Sequence, residues 1–401
     1  MKMKKVLAAA LAAAMTMSMA ACGSASGSSA ATSADGASAS GAAFKLGGSG
    51  PLTGDAAVYG TAVKNAIELA VSEINAEGKV QFEVNFQDDQ ATGEAATSAY
   101  NTLIDWGMQI STATVTSGAG QAVSELYAND NIFAISPSGS STAVIFRDAE
   151  NAADPYGNIF QMCFTDPNQG SASALYLSEH PDLGSKIAII YRNDDNYSTG
   201  IRNNFVDKAK EIGLNVVYEG TFTNGASDFS VQIKQANEAG ADICFLPIYY
   251  QPASLVLAEA AKQGYTPTFF GCDGMDGILA QEGFDTALAE GLYMLTPYSA
   301  DATDEATQHF TNAYKEKYGD TPNQFAADAY DAVNAIAQAI EAEGLTPDAS
   351  QDDITAGLIK QFTSMTFDGI TGTSVSWNEN GEVTKDPKAI VIKDGAYVSA
   401  E

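Results

Sequence analysis

The sequence predicts an α/β fold in which parallel sheets are covered by helices on both faces. Strand-like and helix-like segments alternate along most of the chain between residues 44 and 296, as the crossovers of a parallel sheet require. The strand-like segments are continuous apolar runs, which is typical of strands buried on both faces. The chain has 401 residues, of which 45% are hydrophobic. This is enough material for roughly two domains.

Nine segments are predicted as strands from their short apolar and β-branched runs. They cover residues 44–50, 82–89, 112–117, 132–137, 186–191, 215–220, 243–250, 268–274 and 291–296. The segment at 366–398 is different, because it alternates apolar and polar residues between turn signals at Asn-Glu-Asn-Gly and Lys-Asp-Gly. It is predicted to form antiparallel strands that return to the α/β body as part of a lobe or hinge.

Two helices stand out because their apolar residues recur with helical spacing. In residues 61–78 the apolar positions follow the i, i+3, i+4 pattern from Val63 to Ile74, and Gly78 supplies a C-terminal stop. Residues 322–344 repeat the pattern and also end at a glycine.

The charge of the chain excludes several classes of partner. With 50 acidic and 20 basic residues, the formal net charge is −30, and no Lys/Arg cluster follows the first five residues. Nucleic-acid binding needs a basic surface, so no nucleic-acid partner is expected. Electrostatic attachment to anionic lipid is not expected either, for the same reason.

No metal and no cofactor are expected from the composition. The sequence contains two histidines and neither a Cys-x-x-Cys nor a His-Glu-x-x-His motif. After Cys22, three cysteines remain at irregular spacing, which is not a disulfide framework. They are predicted to be buried thiols that behave as small apolar residues.

The first 43 residues are predicted to be targeting and tether segments. MKMKK followed by VLAAALAAAMTMSMAA is typical of a signal peptide over residues 1–21. The small residues before Cys22 resemble the bacterial lipoprotein box, in which this cysteine carries lipid; an ordinary secretory signal is the alternative. Residues 22–43 are rich in Gly, Ser and Ala and are predicted to form a flexible tether behind the lipidated cysteine.

Two strand-to-helix loops combine hydroxyls and glycine without charge. In parallel α/β sheets, ligands bind beyond the carboxyl ends of strands, at loops of this kind. SGAG at 117–120 and SPSGSSTA at 136–143 offer serine hydroxyls and backbone N–H groups near a helix N-terminus, an arrangement that can hold a carboxylate or a phosphate. The alternative is that these residues only form turns and cap helices.

Other strand-to-helix loops carry tyrosines and an aspartate. Tyr197, Tyr249 and Tyr250 are predicted to line an apolar pocket with polar tips, unless they are ordinary surface or core tyrosines. Asp273 lies just beyond a predicted strand, where it would either face an ammonium group or form a cap or Asx-turn.

The sequence lacks the common enzyme signatures. It contains no Gly-x-Ser-x-Gly elbow and no Gly-x-x-x-x-Gly-Lys phosphate loop. His180 and His309 lie outside the strand-end loops, which makes a Ser-His-Asp triad hard to build. The chain is therefore predicted not to be an enzyme.

Residues 48–78, GSGPLTGDAAVYGTAVKNAIELAVSEINAEG, resemble the extracellular solute-binding proteins of branched-chain amino-acid ABC transporters, the Leu/Ile/Val-binding family. The resemblance continues through NIFQMCFTDPNQG, KIAIIYRNDDNYSTG, ADICFLPIYY, FFGCDG and FAADAYDAV, and it covers nearly all of residues 44–398. It implies a type I periplasmic-binding-protein fold. Two Rossmann-like lobes with parallel sheets would be joined by three crossovers, with the ligand in the cleft between them.

The resemblance also implies which residues hold the solute. Ser117 and Ser140 would donate hydroxyls to a ligand carboxylate, and the backbone of Ser138 and Gly139 would help to hold it. Asp273 would receive the α-ammonium group. Aromatic residues would enclose the rest of the ligand: Tyr59, Tyr197, one of Tyr249 and Tyr250, and Phe325.

The first lobe is expected to comprise residues 44–163 and 297–366, and the second lobe residues 164–296 and 367–401. The expected function is capture of an amino acid, foremost Leu, Ile or Val, by closure of the cleft, and delivery to the permease subunits and cytoplasmic ATPases of an ABC importer. The protein is expected to be a monomer held by lipid at the extracellular face of the cytoplasmic membrane, which is periplasmic in a Gram-negative host.

Two alternatives stay open from the sequence. The same fold would serve a receptor for an amide, an aromatic acid or a sugar. An α/β enzyme acting on a phosphorylated metabolite is the second, and the missing catalytic signatures count against it.

Overall fold

The computed structural model describes residues 42–400, so the predicted signal peptide, Cys22 and the tether up to residue 41 lie outside the described residues. Between residues 42 and 400, no helix is long and apolar enough to cross a membrane. The strands are β1 Phe44–Gly50, β2 Phe82–Asp88, β3 Ile110–Thr114, β4 Phe133–Ser136, β5 Phe146–Asp148, β6 Ala153–Pro155, β7 Ile159–Gln161, β8 Lys186–Arg192, β9 Asn215–Phe222, β10 Ile243–Leu246, β11 Thr268–Gly271, β12 Tyr293–Thr296, β13 Phe367–Gly369, β14 Gly372–Trp377, β15 Val383–Thr384, β16 Lys388–Lys393 and β17 Ala396–Ser399. The helices are α1 Ala57–Glu77, α2 Gly93–Trp106, α3 Ser117–Asn129, α4 Asp166–Glu179, α5 Asn196–Ile212, α6 Ser230–Glu238, α7 Tyr250–Gln263, α8 Glu305–Tyr318, α9 Gln324–Glu343 and α10 Gln351–Phe362.

The two main sheets confirm the predicted α/β class. The first has the order β2-β1-β3-β4-β7, and all its neighbours are parallel. The second has the order β17-β16-β12-β11-β10-β8-β9; its five strands from β12 to β9 are parallel, and β16 and β17 are antiparallel. Each of the nine predicted strands is present, and the predicted antiparallel segment forms β13 to β17. The short strands β5, β6 and β7 were not predicted.

Helix α1 begins four residues before the predicted start at residue 61. The predicted apolar face from Val63 to Ile74 is buried, and Gly78 ends the helix with φ of 81°, a left-handed conformation that glycine adopts readily. Gly60 lies in the first turn against the preceding loop, where a Cβ would be 2.0 Å from the carbonyl oxygen of Pro51. The early start of α1 therefore depends on a glycine that lets the helix and the loop approach closely.

The three cysteines that follow Cys22 match their prediction. Cys163, Cys244 and Cys272 are all buried, and none of them forms a disulfide. Burial raises the pKa of each thiol, so all three stay protonated and unreactive near neutral pH.

The small sheet β13-β14-β15 lies against the first lobe. The indole Nε1 of Trp377 donates to the backbone carbonyl of Gln161 at 2.7 Å, and the backbone N–H of Gln161 donates to the backbone carbonyl of Gly381 at 2.9 Å. The Trp377 ring also packs on Phe362 of α10, with 4.7 Å between centroids. β16, in contrast, pairs with β12 of the second sheet. The sequence-based division assigned residues 367–401 to the second lobe. From these contacts we propose instead that the third crossover follows β15.

Candidate functional site

The predicted serine loops lie side by side in the first lobe. The hydroxyl oxygen of Ser117, at the start of α3, accepts the backbone N–H of Ser141 at 3.2 Å, which ties the two loops together. Within the second loop, Ser136 Oγ accepts the N–H of Gly139 at 2.8 Å. From β7, the side-chain amide of Gln161 donates to the carbonyls of Gly139 and Ser141, at 2.7 and 3.1 Å. The loop between β4 and β5 is therefore held rigidly.

The first of these loops follows a bulge in β3. Ala113 has φ of 52°, and the register of β3 against β1 shifts between Gly47 and Ser49. Ser111 Oγ accepts the N–H of Ala113 at 2.9 Å, which stabilises this left-handed residue. Backbone strain of this kind in a non-glycine residue is often found beside functional sites.

Several buried polar atoms at the ends of these loops have no hydrogen-bond partner among the described residues. They are the hydroxyls of Thr116 and Ser140 and both carboxylate oxygens of Asp166, the first residue of α4. Buried polar groups are normally paired, because leaving one unpaired costs free energy. Burial raises the pKa of Asp166 well above its usual value. The hydroxyls of Ser140 and Ser141 approach the carboxylate and offset this only in part, and the charge of Asp273 adds to the rise. These are the groups that a polar ligand would satisfy.

Asp273, by contrast, already has protein partners for both oxygens. The Tyr197 hydroxyl donates to Oδ1 at 2.7 Å, and the Gln169 side-chain amide donates to Oδ2 at 2.8 Å. Gln169 also accepts the backbone N–H of Asp273 at 3.1 Å. Burial raises the pKa of Asp273 to about 7, although these hydrogen bonds lower it. Each carboxylate oxygen keeps a second lone pair, so Asp273 can still accept a donor from a ligand.

The predicted aromatic residues meet between the two lobes. Tyr59 from the first lobe packs edge-on against Tyr249, Tyr250 and Phe325, with centroid distances of 5.5, 4.9 and 4.9 Å. Tyr197 stacks on Tyr249 at 4.9 Å. Both Tyr249 and Tyr250 therefore contact this aromatic cluster. The sequence left open which of the two would enclose a ligand.

A small cavity of about 10 Å³ lies beside this cluster. It is lined by Tyr59, Val115, Thr116, Ser117, Ser138, Tyr197, Tyr249, Asp273, Gly274 and Phe325. The remaining predicted residues, Gly139, Ser140 and Tyr250, are neighbours of these along the chain and do not line the cavity. A volume of about 10 Å³ holds at most one water molecule, so binding of a solute here would require the lining side chains or the lobes to move apart. A groove of about 680 Å³, lined by residues of α1 and α9 among others, contains none of the predicted residues.

Sequence reasoning missed three polar residues of this region, Thr116, Asp166 and Gln169. Asp166 and Gln169 lie in FTDPNQG, a stretch that carries the family resemblance but follows a strand too short to be predicted. Thr116 directly precedes the predicted Ser117. No group of three or more potential metal ligands occurs within the described part of the chain.

Comparisons with known proteins agree with this architecture. The family model described as "Periplasmic binding protein" matches residues 43–396. A Leu/Ile/Val-binding protein homolog from Brucella abortus is 28% identical over 299 residues, which cover 73% of this chain and 77% of the relative. A leucine-, isoleucine-, valine-, threonine- and alanine-binding protein from Pseudomonas aeruginosa is 26% identical over 345 residues, which cover 84% and 87%.

Solved structures show the same fold. The branched-chain amino acid transporter substrate binding protein of Streptococcus pneumoniae, solved with isoleucine, superposes with a TM-score of 0.77 at 25% identity over 89% of this chain and 98% of that one. A leucine binding protein of Thermotoga maritima gives a TM-score of 0.77 at 24% identity, with the same coverage. The parallel first sheet, the largely parallel second sheet and a family match over nearly the whole described chain lead to one conclusion: the chain belongs to the periplasmic binding protein family.

Proposed function

We propose that this protein is the extracellular solute-binding component of an ABC importer and that it captures a branched-chain amino acid between its lobes. The observation that carries the proposal is the set of unpartnered buried polar atoms, Thr116 Oγ1, Ser140 Oγ and the Asp166 carboxylate, beside a cavity walled by aromatic rings. A zwitterion needs hydrogen-bond donors at one end and an anion at the other, and this set contains both.

In this proposal the serine loops hold the ligand carboxylate. The hydroxyls of Thr116, Ser117 and Ser140, with the backbone around Ser138 and Gly139, provide donors without a lysine or an arginine. Neutral donors at a helix N-terminus suffice for one negative charge, because the first-turn N–H groups and the helix dipole favour an anion.

The ammonium group would be held by Asp166 together with Asp273. The two carboxylates are close enough that the charge of Asp273 raises the pKa of Asp166. A cation bound near both would remove this repulsion and would replace the hydration that burial has taken from Asp166. The sequence-based assignment named only Asp273. The proposal adds Asp166, because its oxygens lack protein partners.

The ligand side chain would meet an apolar wall. The Tyr59 hydroxyl donates to the carbonyl of Gly274, and the Tyr197 hydroxyl donates to Asp273. Because these hydroxyls already have partners, the tyrosines present mainly ring faces and edges to the cavity. This favours Leu, Ile or Val over amino acids with polar side chains.

Ligand capture would be coupled to closure, since residues of both lobes line the cavity. A solute that contacts both lobes only in the closed form binds that form more tightly and shifts the population toward it. The closed, loaded protein would then deliver the solute to the permease subunits, while lipid on Cys22 keeps it at the outer face of the membrane.

One other solute class is favoured by a specific observation. Both oxygens of Asp273 have protein donors, and the wall is largely aromatic. An aromatic carboxylic acid would use the serine loops and the rings but would not need an anion.

Calorimetric titration separates these two ligands. The protein is unfolded and refolded to remove carried-over solute, and it is then titrated with the twenty amino acids and with benzoate. We expect one-to-one binding of Leu, Ile or Val, weakened by about 2–5 kcal/mol in Asp166→Asn, because the ammonium group loses its charged partner. Asp182→Asn, which changes an exposed carboxylate of the second lobe, is the matched control.

The Ser140→Ala variant distinguishes a binding role from a folding role. Its hydroxyl is buried and lies close to the Asp166 carboxylate, so removal should weaken ligand binding by about 1–2 kcal/mol without lowering stability. Binding of benzoate but of no amino acid would favour the second solute class. If no amino acid and no aromatic acid binds, the proposed ligand site is wrong.

A further inference from the structure

The hydroxyl of Tyr59 makes two hydrogen bonds to the opposite lobe. It donates to the carbonyl of Gly274 at 2.6 Å and accepts the backbone N–H of Tyr250 at 3.2 Å. Tyr59 lies in α1 of the first lobe, whereas Tyr250 and Gly274 follow β10 and β11 of the second sheet. Burial, together with the neighbouring Tyr250, raises the pKa of this hydroxyl, so it keeps the proton that it donates.

The Tyr250 amide depends on this contact. Tyr250 is the first residue of α7, and first-turn amides have no partner within their own helix. The preceding residue, Tyr249, makes no side-chain capping bond. The Tyr59 hydroxyl therefore caps the N-terminus of α7 in the other lobe. When the cleft opens, the Tyr250 amide would have only water as a partner.

Further direct contacts between the lobes surround this one. The Tyr250 hydroxyl accepts the N–H of Val58 at 3.4 Å, and the side-chain amide of Asn196 in α5 donates to Gln121 in α3. The Cβ that Gly277 lacks would lie 3.1 Å from Val58. The two lobes are thus held together by protein atoms alone, and the Tyr59 hydroxyl makes two of these hydrogen bonds.

We propose that Tyr59 is a latch that stabilises the closed form directly and thereby sets how much of the ligand-free protein is closed and how fast a bound solute leaves. Hydrogen bonds that form only on closure shift the open–closed equilibrium for every ligand alike. The inference rests on the proposed closure around a solute, but the latch can be tested without one.

The test uses Tyr59→Phe, which keeps the ring contacts and removes the hydroxyl. Tyr100→Phe is the matched control, because Tyr100 is equally buried and its hydroxyl bonds only to Leu126 and Asp130 within the first lobe. Spin labels are attached at Glu125→Cys in α3 and Asp207→Cys in α5, two exposed positions on opposite lobes. The three buried native thiols do not compete for the label, and Cys22 is changed to Ser.

In ligand-free protein we expect Tyr59→Phe to raise the ratio of long to short label distances by about tenfold, since one well-made hydrogen bond is worth about that factor. Tyr100→Phe should leave the ratio unchanged. Where a solute binds, its dissociation should quicken by a similar factor, with little change in association rate. An unchanged distance ratio in Tyr59→Phe overturns the latch, even if binding weakens. If no solute binds, the proposed function is overturned. The label distances in the ligand-free protein would still decide whether Tyr59 acts as a latch.

Discussion

The ammonium group of Lys385 is fully buried between Asp328 of α9 and the hydroxyl of Thr371. It forms an ion pair with the Asp328 carboxylate and donates to Thr371 Oγ1 at 2.6 Å. Lys385 directly follows β15, in the segment that leads into β16 of the second sheet. A buried charge pair thus ties the segment between β15 and β16, which we propose as the third crossover, to α9.

Lys385→Met should destabilise the protein strongly. The substitution leaves Asp328 buried without its counter-charge, which typically costs about 3–5 kcal/mol. Urea unfolding monitored by circular dichroism measures the loss. Lys360→Met is the control, because Lys360 pairs with Glu343 at the surface, where little change is expected. Equal effects of the two substitutions would contradict the importance of the buried pair.

Asp89→Asn should change how stability depends on pH. Asp89 is fully buried, and burial raises its pKa to about 6, from an ordinary value of 3.8. A carboxyl whose pKa is raised on folding stabilises the fold below its unfolded pKa, and this contribution is lost as pH rises through about 6. Relative to that of the unmodified protein, the free energy of unfolding of the variant should rise by about 3 kcal/mol between pH 4 and pH 8. Urea midpoints at several pH values measure this gain.

The neighbouring Asp88 provides a control of opposite sign. Burial is the largest single influence on its pKa and raises it, but the hydrogen bonds from Thr53 and from the backbone of Leu52 and Gln90 together lower the pKa overall. Asp88 therefore stabilises the fold above its unfolded pKa. Relative to the unmodified protein, Asp88→Asn should become less stable as pH rises through that pKa. If the stability of both variants, relative to the unmodified protein, changed with pH in the same direction, the opposite pKa shifts of Asp88 and Asp89 would be wrong.

Affinity for an amino acid should rise with pH through about 7. Asp273 has a pKa of about 7 in the ligand-free protein, and an ammonium group is bound best when the carboxyl is ionised. Below that pH, affinity should fall by at most about tenfold per unit for each proton that must be lost. Calorimetry between pH 5.5 and 8.5 measures this slope, which Asp273→Asn should flatten. A pH-independent affinity would instead favour a ligand without an ammonium group.

Gly60→Ala should destabilise the first lobe and displace the residue beside it, Tyr59. An added Cβ would lie 2.0 Å from the Pro51 carbonyl oxygen, so helix and loop must separate. Overpacking of this kind costs about 1–3 kcal/mol. Gly118→Ala is the matched control, since nothing lies within 4 Å of its added Cβ and alanine favours the helix. Urea unfolding of both variants checks the contrast; equal stability of the two would contradict the close approach.

Local pattern was enough for much of the fold. The apolar runs predicted nine of the strands, β1 to β4 and β8 to β12, and the helical spacing from Val63 to Ile74 predicted the buried face of α1. The strand-to-helix loops at SGAG and SPSGSSTA were likewise readable, because strand ends in a parallel sheet share one edge. β7 was missed because three residues carry too little pattern, and Asp166 and Gln169 were missed with it.

The sequence by itself determined the α/β class, the order of most elements and the neutral character of the loops that face the cleft. These properties depend on residue type and on periods of two or 3.6 residues, which are visible in a single chain. Which polar groups remain unpaired was decided only by the tertiary structure. Tyr197 and Gln169 converge on Asp273 and leave Asp166 without a partner, and the Tyr59 hydroxyl reaches a helix nearly two hundred positions away. Such pairings depend on how the lobes pack, and no local spacing encodes them.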